Sequence, residues 1–138
     1  MGVQTKKRVS DSTAKTATIL VIEDEVPLQD AIKIKLEKEG LCCLQAFKAE
    51  DGLLALKKER PDLIWLDLLL PGMGGFAFLE QIRKQPSLKD IPVVIVSVSA
   101  SPEKIRRAFE LNVLDYLVKS QYQLNDIIKR VKLFTNKK

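Results

Sequence analysis

Asp67 is the residue of this chain with the clearest chemical potential. It ends an apolar run of strand length, Asp62-Leu63-Ile64-Trp65-Leu66, and is followed by the loop-forming stretch Leu68-Leu69-Leu70-Pro71-Gly72-Met73-Gly74-Gly75. A second acidic spot, Glu23-Asp24-Glu25, ends the apolar run Ala17 to Ile22 in the same manner. Two such strands leading to one rim of a sheet bring three or more carboxylates together. Like charges at that range oppose each other's ionisation unless a cation sits among them. The expected chemistry is therefore that of a carboxylate, Asp67, served by a cation.

Composition narrows the alternatives. The chain has no histidine, which removes Ser-His and Cys-His nucleophile pairs and histidine-based zinc sites. What remains is carboxylates, lysine, hydroxyls and a hard cation. Cys42 and Cys43 are the only cysteines, so a disulfide framework is excluded and a reducing, cytoplasmic setting is expected. Adjacent strand residues point to opposite faces, so the two make a poor metal pair and read as buried packing residues.

With 138 residues, 46% hydrophobic and 30% charged, the chain suits one domain with a single core. No apolar run is long enough to span a bilayer, and the polar N-terminus lacks the apolar core of a signal peptide. The net charge of +5 sits at the ends: Lys6, Lys7, Arg8 and Lys15 outweigh Asp11, and Lys137 and Lys138 close the chain, leaving residues 17–136 neutral. Residues 1–16 read as a disordered basic tail and 135–138 as a basic C-terminal end. Neither makes nucleic acid the favoured partner.

The elements that position the acids follow from periodicity. Ala17 to Ile22 is apolar on both faces, as a central parallel strand should be. Leu28, Ala31, Ile32 and Leu36 recur at helical spacing after Pro27, and Gly40 stops the helix. Leu41 to Phe47 predicts a second strand, and Glu50 to Glu59 a short helix with Leu53, Leu56 and Leu54 inward. After the strand ending at Leu66, Phe76, Leu79 and Ile82 mark a helix, and Ile91 to Val96 a fourth strand. Ser101-Pro102-Glu103 opens a helix with Ile105, Ala108 and Phe109 inward and Asn112 as a left-handed stop. Val113 to Val118 is the fifth strand, and Leu124, Ile127, Ile128 and Val131 line the last helix. Such alternation predicts an α/β, doubly wound parallel sheet of five strands with helices on both faces, and a site at the strands' carboxyl ends. Glu23, Asp24, Asp67, Ser97 and Lys119 all fall there.

The pieces Ile-Leu-Val-Ile-Glu-Asp-Glu, Leu-Asp-Leu-Leu-Leu-Pro-Gly-Met-Gly-Gly, Ile-Pro-Val-Val-Ile-Val-Ser and Asp-Tyr-Leu-Val-Lys resemble, in order and spacing, the receiver domain of two-component response regulators. The resemblance covers residues 17–134 and points to the stand-alone, chemotaxis-regulator-like type. It implies the flavodoxin-like strand order 2-1-3-4-5. It implies a phosphoacceptor switch, not a conventional enzyme, in which Asp67 takes a phosphoryl group from a histidine kinase or a histidine phosphotransfer protein. Mg²⁺ would be held by Asp24, by Glu23 through water, by Asp67 and by the backbone carbonyl of Leu69. Ser97 and Lys119 would bind the phosphoryl oxygens, and Ser97 with Tyr116 would switch the face of helix four, strand five and helix five toward a downstream target. No membrane partner is implied, and the expected state is monomer or weak dimer.

Three departures from the family pattern stand out. Ser120 replaces the usual proline after Lys119, where a cis bond would cost about 2.5–4 kcal/mol, so a trans bond and a slightly displaced Lys119 are expected. Ser120-Gln121-Tyr122-Gln123 also matches a capping box for the last helix. Val98 replaces a smaller residue beside Ser97, and Asn112 a commoner glycine. The alternative function is a receiver-like interaction module not controlled by phosphorylation. A haloacid-dehalogenase-type phosphatase is disfavoured because Leu69 stands where its second aspartate belongs. A flavodoxin is disfavoured because Glu23-Asp24-Glu25 would repel a cofactor phosphate.

Overall fold

A computed structural model describes residues 16–136. The basic residues Lys6, Lys7 and Arg8 and the terminal Lys137 and Lys138 lie outside the described residues. The chain alternates β1 (Thr18–Ile22), α1 (Val26–Lys38), β2 (Cys42–Ala46), α2 (Ala49–Lys58), β3 (Leu63–Leu66), α3 (Gly74–Arg83), β4 (Val93–Ser97), α4 (Pro102–Glu110), β5 (Asp115–Val118) and α5 (Leu124–Asn136). A 3-10 turn, Lys119–Gln121, joins β5 to the segment before α5. All strand pairs are parallel, in the order β2-β1-β3-β4-β5. No helix among the described residues is long and apolar enough to cross a membrane.

Strand residues alternate between two apolar layers, as the two-residue period of a pleated strand requires. Leu20, Ile22, Ile64, Leu66 and Ile95 pack with Leu56, Phe78, Leu79, Ile82 and Ala108 from α2, α3 and α4. Ile19, Val21, Trp65, Val94 and Val96 pack with Ile32, Leu36, Ile127, Ile128 and Val131 from α1 and α5. Both faces of the central strands are thus covered, which explains their unbroken apolar runs.

Local signals account for several helix ends. Pro27 lies in the first turn of α1. Ser101 caps α4 by accepting from the Lys104 N–H at 3.2 Å, and Asn112 takes the left-handed conformation, φ 62°, after that helix. On the rim opposite the acids, the Arg83 guanidinium donates to the carbonyls of Lys89, Ile91, Leu111 and Asn112, tying two loops together.

Three side-chain expectations fail. Leu54 is 56% exposed, because Ala49, Gly52 and Leu56 form the buried stripe of α2. Phe109 is 45% exposed; Ala108 is the residue α4 buries, and the sheet beneath it is reached through Ile105 and Ala108. Cys42 is exposed and Cys43 only half-buried, since β2 is an edge strand with a neighbour on one side. Partial burial in apolar surroundings still pushes the Cys43 thiol up to about 12.

The turn after Asp67 is held by close backbone packing. Gly75 opens α3 with its N–H on the Leu68 carbonyl at 3.2 Å. A Cβ there would stand 2.6 Å from Leu68 Cα and 2.7 Å from the Asp67 carbonyl oxygen. Backbone atoms cannot swing aside as a flexible side chain can. Gly75→Ala is expected to lower unfolding stability by about 1–3 kcal/mol, read from the midpoint of urea denaturation; an unchanged midpoint would show that the loop yields freely.

Candidate functional site

Parallel register sets the rim. Ile22 pairs with Leu66, so the residues that follow, Glu23 and Asp67, leave adjacent strands side by side. The Asp67 N–H donates to the Ile22 carbonyl at 3.1 Å, and the Glu23 N–H to the Ala46 carbonyl at 3.0 Å. Glu23, Asp24 and Asp67 each place a carboxylate oxygen within 4.8 Å of the others. Asp24 is exposed, whereas Glu23 and Asp67 are only 1% and 4% exposed.

The two buried carboxylates share one ammonium. Lys119 Nζ donates to Glu23 Oε1 at 2.7 Å and to Asp67 Oδ2 at 3.1 Å. The remaining oxygens are also engaged: Glu23 Oε2 accepts from the Glu25 N–H at 3.0 Å, and Asp67 Oδ1 from the Leu69 N–H at 3.0 Å. Burial pushes the Glu23 carboxyl up; Lys119 and the Glu25 N–H offset this in part, and Asp67 adds repulsion. Burial alone would lower Lys119, but its hydrogen bond to Glu23 and the Asp67 charge hold it above its ordinary value.

The Lys119–Ser120 bond is trans, as expected, and Lys119 reaches both acids. The chain has no cis peptide among the described residues, and Val118, paired with Ser97, fixes the backbone that presents Lys119. The expected capping box fails, since Ser120 is taken up in the 3-10 turn that continues β5. Helix α5 starts later, and its cap contact is the Gln123 N–H donating to Asp126 Oδ2 at 3.3 Å.

Ser97 closes β4 and is fully buried. Its hydroxyl accepts from the Ser99 N–H at 3.3 Å, and no hydrogen bond joins it to Asp67 among the described residues. Tyr116 is buried too, and its hydroxyl donates to the Ser99 carbonyl. Lys104 Nζ donates to the Ser99 hydroxyl. Ser99 thus joins Ser97, Tyr116 and α4, a connection that no residue type or spacing in the loop announces.

Gln29 is the other residue that sequence reasoning missed. It is fully buried, and its Nε2 donates to the carbonyls of Val21 (3.0 Å), Glu23 (3.1 Å) and Ala46 (2.9 Å). It ties the ends of β1 and β2 to the first turns of α1 and holds the backbone of Glu23. A signal existed: Gln29, Ile32 and Leu36 form one buried stripe at helical spacing.

A family model described as the response regulator receiver domain matches residues 19–132. The chain belongs to that family. The receiver domain is 32% identical over 114 residues to the phosphate regulon transcriptional regulatory protein PhoB of Escherichia coli, a match covering 83% of this chain and 49% of PhoB. It is 33% identical to the transcriptional regulatory protein AfsQ1 of Streptomyces coelicolor, over 74% of this chain and 44% of AfsQ1. The chain spans about half the length of the curated relatives it matches. Among solved structures, a CheY-like receiver domain protein of Methanospirillum hungatei superposes with TM-score 0.81 at 25% identity, covering 88% of this chain and 95% of that one. The phosphorylated cyanobacterial phytochrome response regulator RcpA superposes with TM-score 0.75 at 29% identity, covering 86% and 90%. Receiver domains are signalling switches of two-component systems, working with histidine kinases and downstream effectors.

Two outcomes follow for the receiver domain's rim. Gln29→Leu removes three hydrogen bonds, and although the Ala46 carbonyl keeps the Glu23 N–H, any carbonyl left unpaired costs about 1–3 kcal/mol; a fall in melting temperature, with the amide resonances of Glu23 and Ala46 shifted, is expected, and unmoved resonances would refute the tether. Lys119→Met, in chelator, should cost about 1–3 kcal/mol at neutral pH, less than a fully buried pair because the lysine side chain is 20% exposed. Because the native lysine lies above its ordinary 10.5, its contribution is complete below that pH and is lost as pH climbs through the native value. The stability difference between wild type and Lys119→Met should therefore shrink in strong alkali; a constant difference would show that the ion pair is not its source.

Proposed function

We propose that Asp67 is the phosphoacceptor of a two-component phosphorelay, taking its phosphoryl group from a phosphohistidine of a histidine kinase or histidine phosphotransfer protein in the cytoplasm. The observation that carries this reading is the convergence of Glu23, Asp24 and Asp67 within 4.8 Å, with Lys119 bridging two of them. In the transfer an Asp67 oxygen forms the new bond to phosphorus. The phosphorus–nitrogen bond breaks, and its electron pair leaves with the imidazole. Asp67 changes from one negative charge to about two, with new oxygens that need partners. Lys119 is already in contact, and the Ser97 hydroxyl lies at the end of the neighbouring strand.

The donor set fits Mg²⁺, a hard cation typically held by one or two carboxylates with phosphate and water completing its shell. Asp24, exposed and at the mouth, would be the direct ligand, with Asp67 and the Leu69 carbonyl beside it. Glu23 would act through water; its oxygens, like those of Asp67, already have partners that a bound cation would share or replace. When bound, Mg²⁺ supplies charge neutralisation at the transferring phosphoryl group.

Ser97 and Tyr116 form the switch in this reading. Drawing the Ser97 hydroxyl toward a phosphoryl group releases the Ser99 N–H, whose residue also receives the Tyr116 hydroxyl. A local charge event thus biases the β4–α4 connection and the face of α4, β5 and α5. That face carries exposed Phe109 and Leu114 and the Asp115–Arg130 ion pair, and is the proposed surface for a downstream target. The receiver unit spans residues 17–134 and acts as a monomer or weak dimer; it turns over only its own phosphoryl group.

Incubation with acetyl phosphate and Mg²⁺, followed by intact mass, should add about 80 Da, one phosphoryl group. Asp67→Asn should add nothing, and chelator should suppress the gain in the wild type. A wild type that stays unmodified would favour an interaction module working without phosphorylation.

A further inference from the structure

Helix α4 is held to the sheet by little apolar contact. Ala108 is the only buried residue of its nine, with half-buried Ile105 beside it, whereas α3 buries Phe78, Leu79 and Ile82. Elements with few buried contacts are the ones that shift at small cost. The fastenings of α4 are mostly polar. Arg107 ties it to α3, donating to Glu80 Oε2 at 2.6 Å with its guanidinium 4.2 Å from the centre of the Phe76 ring. Lys104 ties it to the loop after β4, where its Nζ donates to the Ser99 hydroxyl.

The Lys104 contact is an uncommon use of a lysine. Its side chain is half-buried, and among the described residues no carboxylate pairs with its ammonium. Lysine ordinarily keeps that group in water or on an acid. Here it is spent on a neutral hydroxyl. Ser99 is half-buried too, and each of its polar groups is in use. The N–H donates to the Ser97 hydroxyl at 3.3 Å, the carbonyl accepts from Tyr116, and the hydroxyl accepts from Lys104. The first two bonds join Ser99 to the ends of β4 and β5. Apart from the covalent chain through Ala100 and Ser101, only the third leads to α4.

We propose that Lys104 is a positioning residue that passes the displacement of Ser97 into α4. The inference rests on Asp67 being the phosphoacceptor. When Ser97 turns toward a phosphoryl group, the Ser99 N–H loses its partner and Ser99 can move. A loop joined to α4 by its backbone alone would absorb that motion in Ala100 and Ser101. The Lys104 bond takes up the slack, because Ser99 and the first turn of α4 then move together. The bond stays intact throughout, so the link works in both directions. A partner that shifts α4 alters Ser97 in return, as reciprocal coupling requires.

Amide shifts of the full chain, recorded by ¹⁵N-correlated NMR with and without acetyl phosphate and Mg²⁺, test the link. In the wild type, phosphorylation should move the amides of Lys104 to Glu110 together with those of Ser97 and Ser99. Lys104→Met should still gain the phosphoryl mass and move Ser97, but the α4 shifts should shrink by about twofold or more, the share of one net hydrogen bond. Lys104→Arg, which keeps a cationic donor, should restore them. Ser99→Ala removes the hydroxyl yet keeps both backbone bonds, and should mimic Lys104→Met. The double variant should lose no more than either single one, since two ends of one link are not additive. Full α4 shifts in phosphorylated Lys104→Met overturn the proposal, as do losses that add in the double variant. Intact mass on the same samples separates the two readings: a wild type without the phosphoryl group ends the phosphoacceptor reading and this proposal with it, whereas full α4 shifts in a phosphorylated variant end this proposal alone.

Discussion

The rim depends on one ammonium between two buried carboxylates. Glu23 and Asp67 are forced together by the pairing of β1 with β3, and neither is free to turn into solvent. Without a counter-charge the pair would repel, and burial would favour protonation of one of them. Lys119, delivered by the last residue pair of β4 and β5, cancels much of that cost. It leaves Asp24 as the exposed acid of the three. Three carboxylates against one ammonium leave the rim with a net negative charge, which suits a cation.

Supports of two kinds hold that balance. Gln29 fixes the backbone on which Glu23 stands, using one amide to gather carbonyls from β1, its following residue and β2. Gly75 lets α3 press its first turn onto the backbone of Asp67 and Leu68. Ser99 has a different part: it accepts from Tyr116 and Lys104 and donates to Ser97. The acids are anchored by rigid strand ends, whereas the hydroxyls meet in a loop. That division fits the proposed switch, in which the charged centre would stay in place while the loop exchanges partners.

Legibility from the sequence followed burial. The strands were readable because each central strand is apolar on both faces, and the acids because a carboxylate straight after such a run has few structural uses. Helix faces were less readable. Phe109 and Leu54 are apolar but point outward, since a helix buries only one stripe and the stripe is chosen by the sheet beneath it. Cys42 and Cys43 look like core residues but lie on an edge strand, and edge position is a property of strand order. Gln29 shows the converse case, a polar residue outside the apolar pattern that the fold uses as a buried fastener.

By itself the sequence determined the alternation of elements, the carboxyl-end rim and the identities of Glu23, Asp24, Asp67, Ser97 and Lys119 upon it, because hydrophobic period and chain direction are local properties. Only the tertiary structure decided how these groups share their partners. Sheet register and the turn after β5 carry Lys119 to both acids. The junction at Ser99 and the grip of Gln29 likewise arise from hydrogen bonds between segments apart in sequence. Such bonds depend on distances and directions that residue spacing along one chain does not encode.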